Sequence, residues 1–310
     1  MAKLKTFDFG ITWSSPDDSF FARILKRKFR DLGISFLWMD DFNNKSFLRD
    51  LLKNKIRIKV LMDTEATYDN PEDIYAKISY AVKDSGGFVF NDPDITQLTI
   101  DKAYMYHRLV NAGITVPYTK MLRKWIPLNY NLTANTVRKL GVPFIIKPAH
   151  GYAQKGVIRN ATGSSYQIRK ARKAYMSDTF LLQQKIKPIY FDGKKAWFRI
   201  LKVFDKLFPC WWDDVTNRYE RLTLRDIKKY KLFPLLEITR KIADLTKMTW
   251  FSTEIAVIND GGSLEFFSID PVNDQCDLTP KSEEPNGLPD KLVLTISDCV
   301  IRNVRKLLRM

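Results

Sequence analysis

At 310 residues, with 45% hydrophobic and 28% charged side chains, the chain has an ordinary soluble composition and the length for two or three lobes. No apolar run approaches the roughly 18 residues of a membrane span, and MAKLKTFDFG carries no signal-peptide apolar stretch, so the expected location is cytoplasmic. Cys210, Cys276 and Cys299 are scattered and odd in number, which excludes a disulfide framework, and His107 and His150 cannot complete a zinc site with them.

The opening 1–92 reads as a small α/β unit. Phe7–Trp13 is a buried strand, and Asp17 or Asp18 caps a helix in which Phe20, Phe21, Ile24, Leu25 and Phe29 recur at helical spacing. Strands follow at Ile34–Trp38, Ile56–Met62 and Gly87–Phe90, with helices at Ser46–Leu52 and Pro71–Val82. Alternation of this kind argues for a mostly parallel sheet. No GxGxxG follows the first strand, so a dinucleotide fold is not supported.

A helix is expected over Ile100–Asn111, with Thr99 as N-cap and Gly113 as its stop. Ile100, Ala103, His107 and Val110 fall on one face, which makes His107 a packed side chain. Lys102 sits in the first turn, where a cation opposes the helix dipole. An anionic partner or simple solvation would account for it. Pro143–Lys147 is a strand, and His150 to Gly156 a loop before another strand. Its glycines let backbone N–H groups approach phosphates, and Lys147 and Lys155 supply charge, although many hairpin loops share these features. The loop lacks the GxxxxGK[ST] pattern and the following helix of a Walker A site.

A helix over Ser165–Met176 precedes the strand Phe180–Ile186, and strands follow at Ala196–Val203 and Leu207–Trp212. Arg199, inside WFRIL, needs a carboxylate or phosphate partner; a structural ion pair would serve equally. Cys210–Thr223 is rich in aromatics that suit an acceptor cleft or a core. After a helix over Leu235–Lys247, FSTEIAVINDGGSLEFFSIDPVND reads as a β-hairpin. Glu254, Asp270 and Asn273 interrupt or follow its apolar runs. They point to solvent or converge as hard oxygen ligands for Mg²⁺. A two-residue loop at Asp260-Gly261 would pair Glu254 with Phe267 and place Asp270 on the opposite face. The two carboxylates then share an ion only if a bulge shifts the register or Pro271 ends the strand early. The closing helix, Pro289–Leu308, carries a core stripe of Leu292, Ile296, Val300, Val304 and Leu307.

Taken in order, NDPDITQLTIDKAYMYHRLVNAGITVPYT, VPFIIKPAHGYAQKGV, FLLQQKI, WFRI, STEIAV and FFSIDPVND resemble the ATP-grasp superfamily, in its glutathione synthetase and amino-acid and peptide ligase branch. The resemblance covers about Asn91 to Asp277. It implies an α/β (α+β) ATP-grasp fold with an N-terminal pre-ATP-grasp domain over 1–92, a small lobe over 93–186 and a C-terminal lobe over 187–310. It implies an ADP-forming carboxylate–amine or carboxylate–thiol ligase working through an acyl phosphate, with ATP and one or two Mg²⁺ ions, Mn²⁺ being able to substitute. In it, Lys147 and Lys102 resemble the phosphate lysines. His150, Gly151, Lys155 and Gly156 belong to a mobile loop that closes over the triphosphate. Gln184, Lys185 and Ile186 resemble the linker that reads adenine. Arg199 resembles the arginine on the transferred phosphoryl group, and Glu254, Asp270 and Asn273 the metal ligands.

The chain departs from the pattern at Asp270-Pro271-Val272-Asn273, where Glu-x-Asn is common, and at Trp197, Gln183, Gln184 and Lys185, where acids are common. Its net charge of +16 favours an acidic small-molecule or peptide substrate, or is a solvated lysine-rich surface. A nucleotide-binding protein without ligase turnover is the first alternative. A nucleic-acid binder ranks last, a membrane partner is not expected, and a homo-oligomer is compatible with the reading.

Overall fold

The computed structural model describes residues 4–14, 20–128, 130–151, 156–173 and 175–309. The chain runs through β1 (Lys5–Thr12), α1 (Phe20–Asp31), β2 (Phe36–Met39), α2 (Asn44–Leu52), β3 (Ile56–Met62), α3 (Ile74–Asp84) and β4 (Phe88–Phe90). Next come α4 (Pro93–Thr99), α5 (Lys102–Asn111), β5 (Thr119–Leu122), α6 (Ala134–Leu140), β6 (Phe144–Pro148), β7 (Ile158–Ala161), α7 (Ser165–Lys173) and β8 (Phe180–Gln183). The remainder holds β9 (Tyr190–Phe191), β10 (Lys194–Lys195), β11 (Trp197–Val203), β12 (Lys206–Trp212) and β13 (Tyr219–Arg221), then α8 (Leu224–Lys229) and α9 (Phe233–Thr246). It closes with β14 (Trp250–Asp260), β15 (Ser263–Asn273) and α10 (Asp290–Leu307). Its contacts group it into two compact units. One is 1–97, 198–253 and 272–310; the other is 98–197 and 254–271. This division does not run along the sequential boundaries at 92 and 186 expected above.

In the first unit the apolar runs form a parallel sheet of order β2-β1-β3-β4. Helix α1 buries Phe21, Ile24, Leu25 and Phe29, the apolar positions at helical spacing, and α10 buries Leu292, Ile296, Val300 and Val304. The capping candidates Asp17 and Asp18 lie outside the described residues. Asp63, just past β3, ties two strand ends together. It accepts hydrogen bonds from Thr12 Oγ1 (2.6 Å), the Tyr68 hydroxyl (2.5 Å) and the backbone N–H groups of Glu65 and Ala66. Burial pushes its carboxyl above the usual range, while those bonds pull the other way. Asn91 does similar work after β4: its carbonyl accepts from the N–H groups of Thr249 and Trp250, and its amide donates to the Trp250 carbonyl.

The second unit is built on an antiparallel sheet of order β5-β8-β6-β7. One face is sealed by α6 and α7: Leu122, Phe144, Ile146, Phe180 and Leu182 pack with Leu140, Ile168 and Ala171. The helix expected from Ile100 starts at Lys102. Asp101, not Thr99, is its cap, accepting from the N–H groups of Ala103 and Tyr104. Thr99 ends the separate helix α4. His107 lies off the buried face, contrary to the packed position expected for it. It is exposed, 3.5 Å from Arg123, and Ala103, Met105 and Leu109 form the buried face instead.

A five-stranded sheet has the order β13-β12-β11-β14-β15. The β14–β15 turn is Gly261-Gly262, one residue later than the expected Asp260-Gly261. Both glycines have positive φ (56° and 93°), the pairing of a type I′ turn. The Asn259 side chain accepts from Gly262 N–H (2.9 Å), which closes the turn.

Candidate functional site

The register of the second unit's sheet decides which side chains face away from α6 and α7. Lys147 is opposite Leu181, which is opposite Met121; Ile145 and Thr119 are both opposite Gln183. Directly opposed residues share a face, so Lys147 and Gln183 stand on the same side, with Ile146 and Leu182 on the other. The Lys147 ammonium lies 3.4 Å from the carbonyl of Ile269 on β15. Burial holds its pKa below the ordinary lysine range. Asp270 opposes that shift, Lys102 adds to it, and Glu254 again opposes it. Four of the expected site residues thus share one electrostatic neighbourhood within a single unit.

Glu254 Oε2 accepts a hydrogen bond from the indole of Trp197 (3.2 Å), the residue standing where an acid was expected. Lys102 donates to the carbonyl of Gly151 (2.8 Å). His150 is held at both backbone and ring by Asp178: its N–H donates to Oδ2 (2.9 Å), and Nδ1 lies 3.0 Å from Oδ1. Tyr152 to Lys155, and with them most of the expected lid, lie outside the described residues. At the far end of that loop Gly156 has φ +74°, and a Cβ there would meet the Tyr175 ring at 2.7 Å. Gly156→Ala should therefore destabilise the protein by about 1–2 kcal/mol through the left-handed backbone alone. Denaturant unfolding reads this as a lower midpoint; an unshifted midpoint would show that the turn accommodates a side chain.

In the linker, the N–H of Gln184 donates to the Tyr118 carbonyl (2.9 Å), Lys185 donates to Asn160 (2.8 Å), and Ile186 is buried. Gln183, not among the expected site residues, is the better-placed side chain. It is 4% exposed, its amide donates to Thr119 Oγ1 (3.2 Å), and its carbonyl oxygen is buried with no partner in the structure. A glutamine on a strand that otherwise buries Phe180, Leu181 and Leu182 was the available signal.

Arg199 and Asn273 belong to the first unit. On β11, the Arg199 guanidinium lies 3.9 Å from the Trp212 ring centroid and donates to the Tyr219 hydroxyl (3.0 Å). Cys210 is opposite it, and burial pushes that thiol up to about 12, as it does Cys276. Neither is a thiolate at neutral pH, so neither is a ready nucleophile.

Among the described residues no three of His, Cys, Asp and Glu gather into a metal cluster. Two carboxylates whose charge reaches a half-buried lysine are hard oxygen donors of the kind Mg²⁺ takes alongside water and phosphate oxygen. The hairpin geometry bears on this directly. The turn lies at Gly261-Gly262, and β15 continues through Pro271 to Asn273, so the strand does not end early at Pro271. Both carboxylates act on Lys147 all the same.

No family model matches the chain, and no curated protein does. Among solved structures, it is similar to a RimK domain ATP-grasp protein from Sphaerobacter thermophilus (TM-score 0.62, 16% identity, 94% of this chain and 99% of that one). It is similar to a D-alanine–D-alanine ligase from Bacillus anthracis complexed with ATP (TM-score 0.61, 12% identity, 96% and 98%). It is also similar to the ATP-grasp ligase PsnB complexed with a phosphomimetic variant of its minimal precursor, Mg and ADP (TM-score 0.62, 14% identity, 96% and 99%).

Proposed function

We propose that this chain, which has the ATP-grasp fold, is an ATP- and Mg²⁺-dependent ligase that joins a carboxylate to an amine or thiol through an acyl phosphate. The observation that carries the reading is the half-buried Lys147, on which the charges of Asp270, Lys102 and Glu254 act together. Phosphoryl transfer needs positioned cations and charge neutralisation rather than a nucleophilic side chain. Lys147 and Lys102 bind the phosphates. The unpartnered carbonyl of Gln183 accepts from the amino group of the base, next to the backbone of Gln184, Lys185 and Ile186. Arg199 neutralises charge on the phosphoryl group in transfer. Asp270 and Glu254, the two acids whose charge reaches Lys147, are the residues that would hold Mg²⁺, and the ion would supply positive charge to offset that of the phosphates.

Solved neighbours act on small molecules and on peptides, as the D-alanine ligase and the PsnB precursor complex illustrate. A peptide or amino-acid carboxylate with an amine acceptor is accordingly the substrate class proposed. The test is to incubate the protein with ATP, Mg²⁺ and pooled amino acids and peptides and to follow products by mass spectrometry. An ATP-dependent product lighter than its two components by one water supports a ligase. ATP binding without ADP release or product would instead support the second reading, nucleotide binding without turnover. That reading has its own observation: Arg199 is already engaged by Trp212 and Tyr219.

A further inference from the structure

The net charge of +16 is not spread evenly. From Lys102 to Ser177 the sequence holds fourteen lysines and arginines and not one aspartate or glutamate. The structure gathers part of that charge into one surface. Helix α7 buries Ile168, Ala171 and Arg172 and leaves Tyr166, Arg169 and Lys173 exposed along one stripe. Arg172 is 2% exposed, and its guanidinium donates to the carbonyls of Arg123 (3.2 Å), Ile126 (2.7 Å) and Pro127 (2.9 Å). That clamp fixes the 123–127 turn against α7. The turn presents exposed Arg123 and Lys124 and a Trp125 that is 72% exposed, with the Arg123 guanidinium 5.8 Å from its ring centroid.

An exposed tryptophan on a turn clamped by a buried arginine adds little to the core, and cations drawn from a stretch free of acids raise the potential around it. From this pinned basic and aromatic surface we infer that the second unit docks a short acidic polypeptide segment on α7 and the 123–127 turn. Arg169, Lys173, Arg123 and Lys124 pair its carboxylates, and Trp125 and Tyr166 pack on its apolar atoms. The size fits. Nine residues of helix span roughly 13 Å, about four residues of extended chain. A long polyphosphate fits less well, because the same unit carries Glu254, Asp260, Glu265 and Asp270 within 254–271, so its cationic surface is bounded. The surface is also separate from the proposed ligase chemistry: α7 packs on the Ile146 and Leu182 face of the sheet, and Lys147 is on the other.

The experiment is fluorescence polarisation with labelled deca-glutamate, repeated with a labelled single-stranded oligouridylate of equal charge. It uses the full chain, Trp125→Ala, and the double variant Arg169→Glu/Lys173→Glu. Deca-glutamate should bind the full chain, more weakly as salt rises. The double variant should bind roughly tenfold or more weakly, as two attractive contacts become repulsive, and Trp125→Ala several-fold more weakly. ATP-analogue affinity, measured in parallel, should be the same in all three, which shows that the variants are folded. Absence of deca-glutamate binding, or variants that bind it like the parent chain, would overturn the inference. So would oligouridylate binding that is tighter and is the one lost in the variants, because the surface would then be a nucleic-acid site. None of these outcomes depends on whether a condensation product is formed.

Discussion

Lys147→Ala is expected to weaken ATP binding by about 1.5–3 kcal/mol, roughly ten- to a hundred-fold in affinity, because it removes a charge-assisted contact from a site largely withdrawn from water. Calorimetric titration with ATP and Mg²⁺ measures it directly, and an unchanged dissociation constant would take Lys147 out of the site. The same residue makes a second, ligand-free prediction. Its pKa is lowered by burial below the ordinary 10.5, so between those two values the unfolded chain binds the proton that the folded chain has released. Folding stability therefore rises with pH through that window. Below the window both states are protonated, and the cost of burying the ammonium is borne in full. Lys147→Met should remove this dependence and leave the apo protein at least as stable at neutral pH. Parent and variant compared by denaturant titration up to pH 10.5 isolate the effect from that of Lys202, which burial also lowers. Parallel curves would show that the ammonium is not desolvated.

Arg199→Ala should cost turnover far more than nucleotide affinity. A donor aimed at charge that develops only on transfer is worth roughly 10²–10³-fold in rate, while it adds little to ground-state binding. The Trp212 and Tyr219 contacts already hold the guanidinium in a fixed orientation, so little ordering remains to be done when substrate arrives. Arg199→Lys keeps the charge and loses the planar contact with Trp212, and should recover only part of the rate. Once a substrate is known, kcat and ATP affinity measured side by side decide the matter. Loss of ATP affinity with a normal rate at saturation would reassign Arg199 to nucleotide binding. Equal loss of thermal stability in both variants, with catalysis per folded molecule intact, would make it a structural residue.

The parallel sheet was legible because its strands are near-continuous apolar runs, and β3 falls on Ile56–Met62 as the sequence suggested. The order of the segments that carry the family resemblance stood out for a different reason: strand, loop, strand and linker each carry a cation, glycine or amide in an otherwise apolar setting. Residue-level choices between adjacent candidates were harder. Thr99 and Asp101 are both good caps, and only the break between α4 and α5 selects Asp101. Any two neighbours within Asn259-Asp260-Gly261-Gly262 make a plausible loop, and the pair chosen is the one in which glycine supplies both positive φ angles. Gln183 was hidden because burial of a single oxygen depends on strand pairing, which composition does not carry. The acid-free run from Lys102 to Ser177 was in plain view, but averaging charge over the whole chain conceals it.

The first unit is assembled from three separated stretches, 1–97, 198–253 and 272–310, so its core is completed by a helix about 200 residues beyond β4. Helix α1 packs on α10, where Lys28 pairs with Asp298 (2.5 Å). At a synthesis rate of about 5–20 residues per second, some 200 residues separate the appearance of β4 from that of α10, a wait of roughly 10–40 s on the ribosome. During that interval the side of α1 that α10 covers, where Lys28 meets Asp298, is open. The nascent chain is then a substrate for chaperones, and fragments that stop short of α10 should be recovered as aggregates or degradation products rather than as a free-standing N-terminal domain.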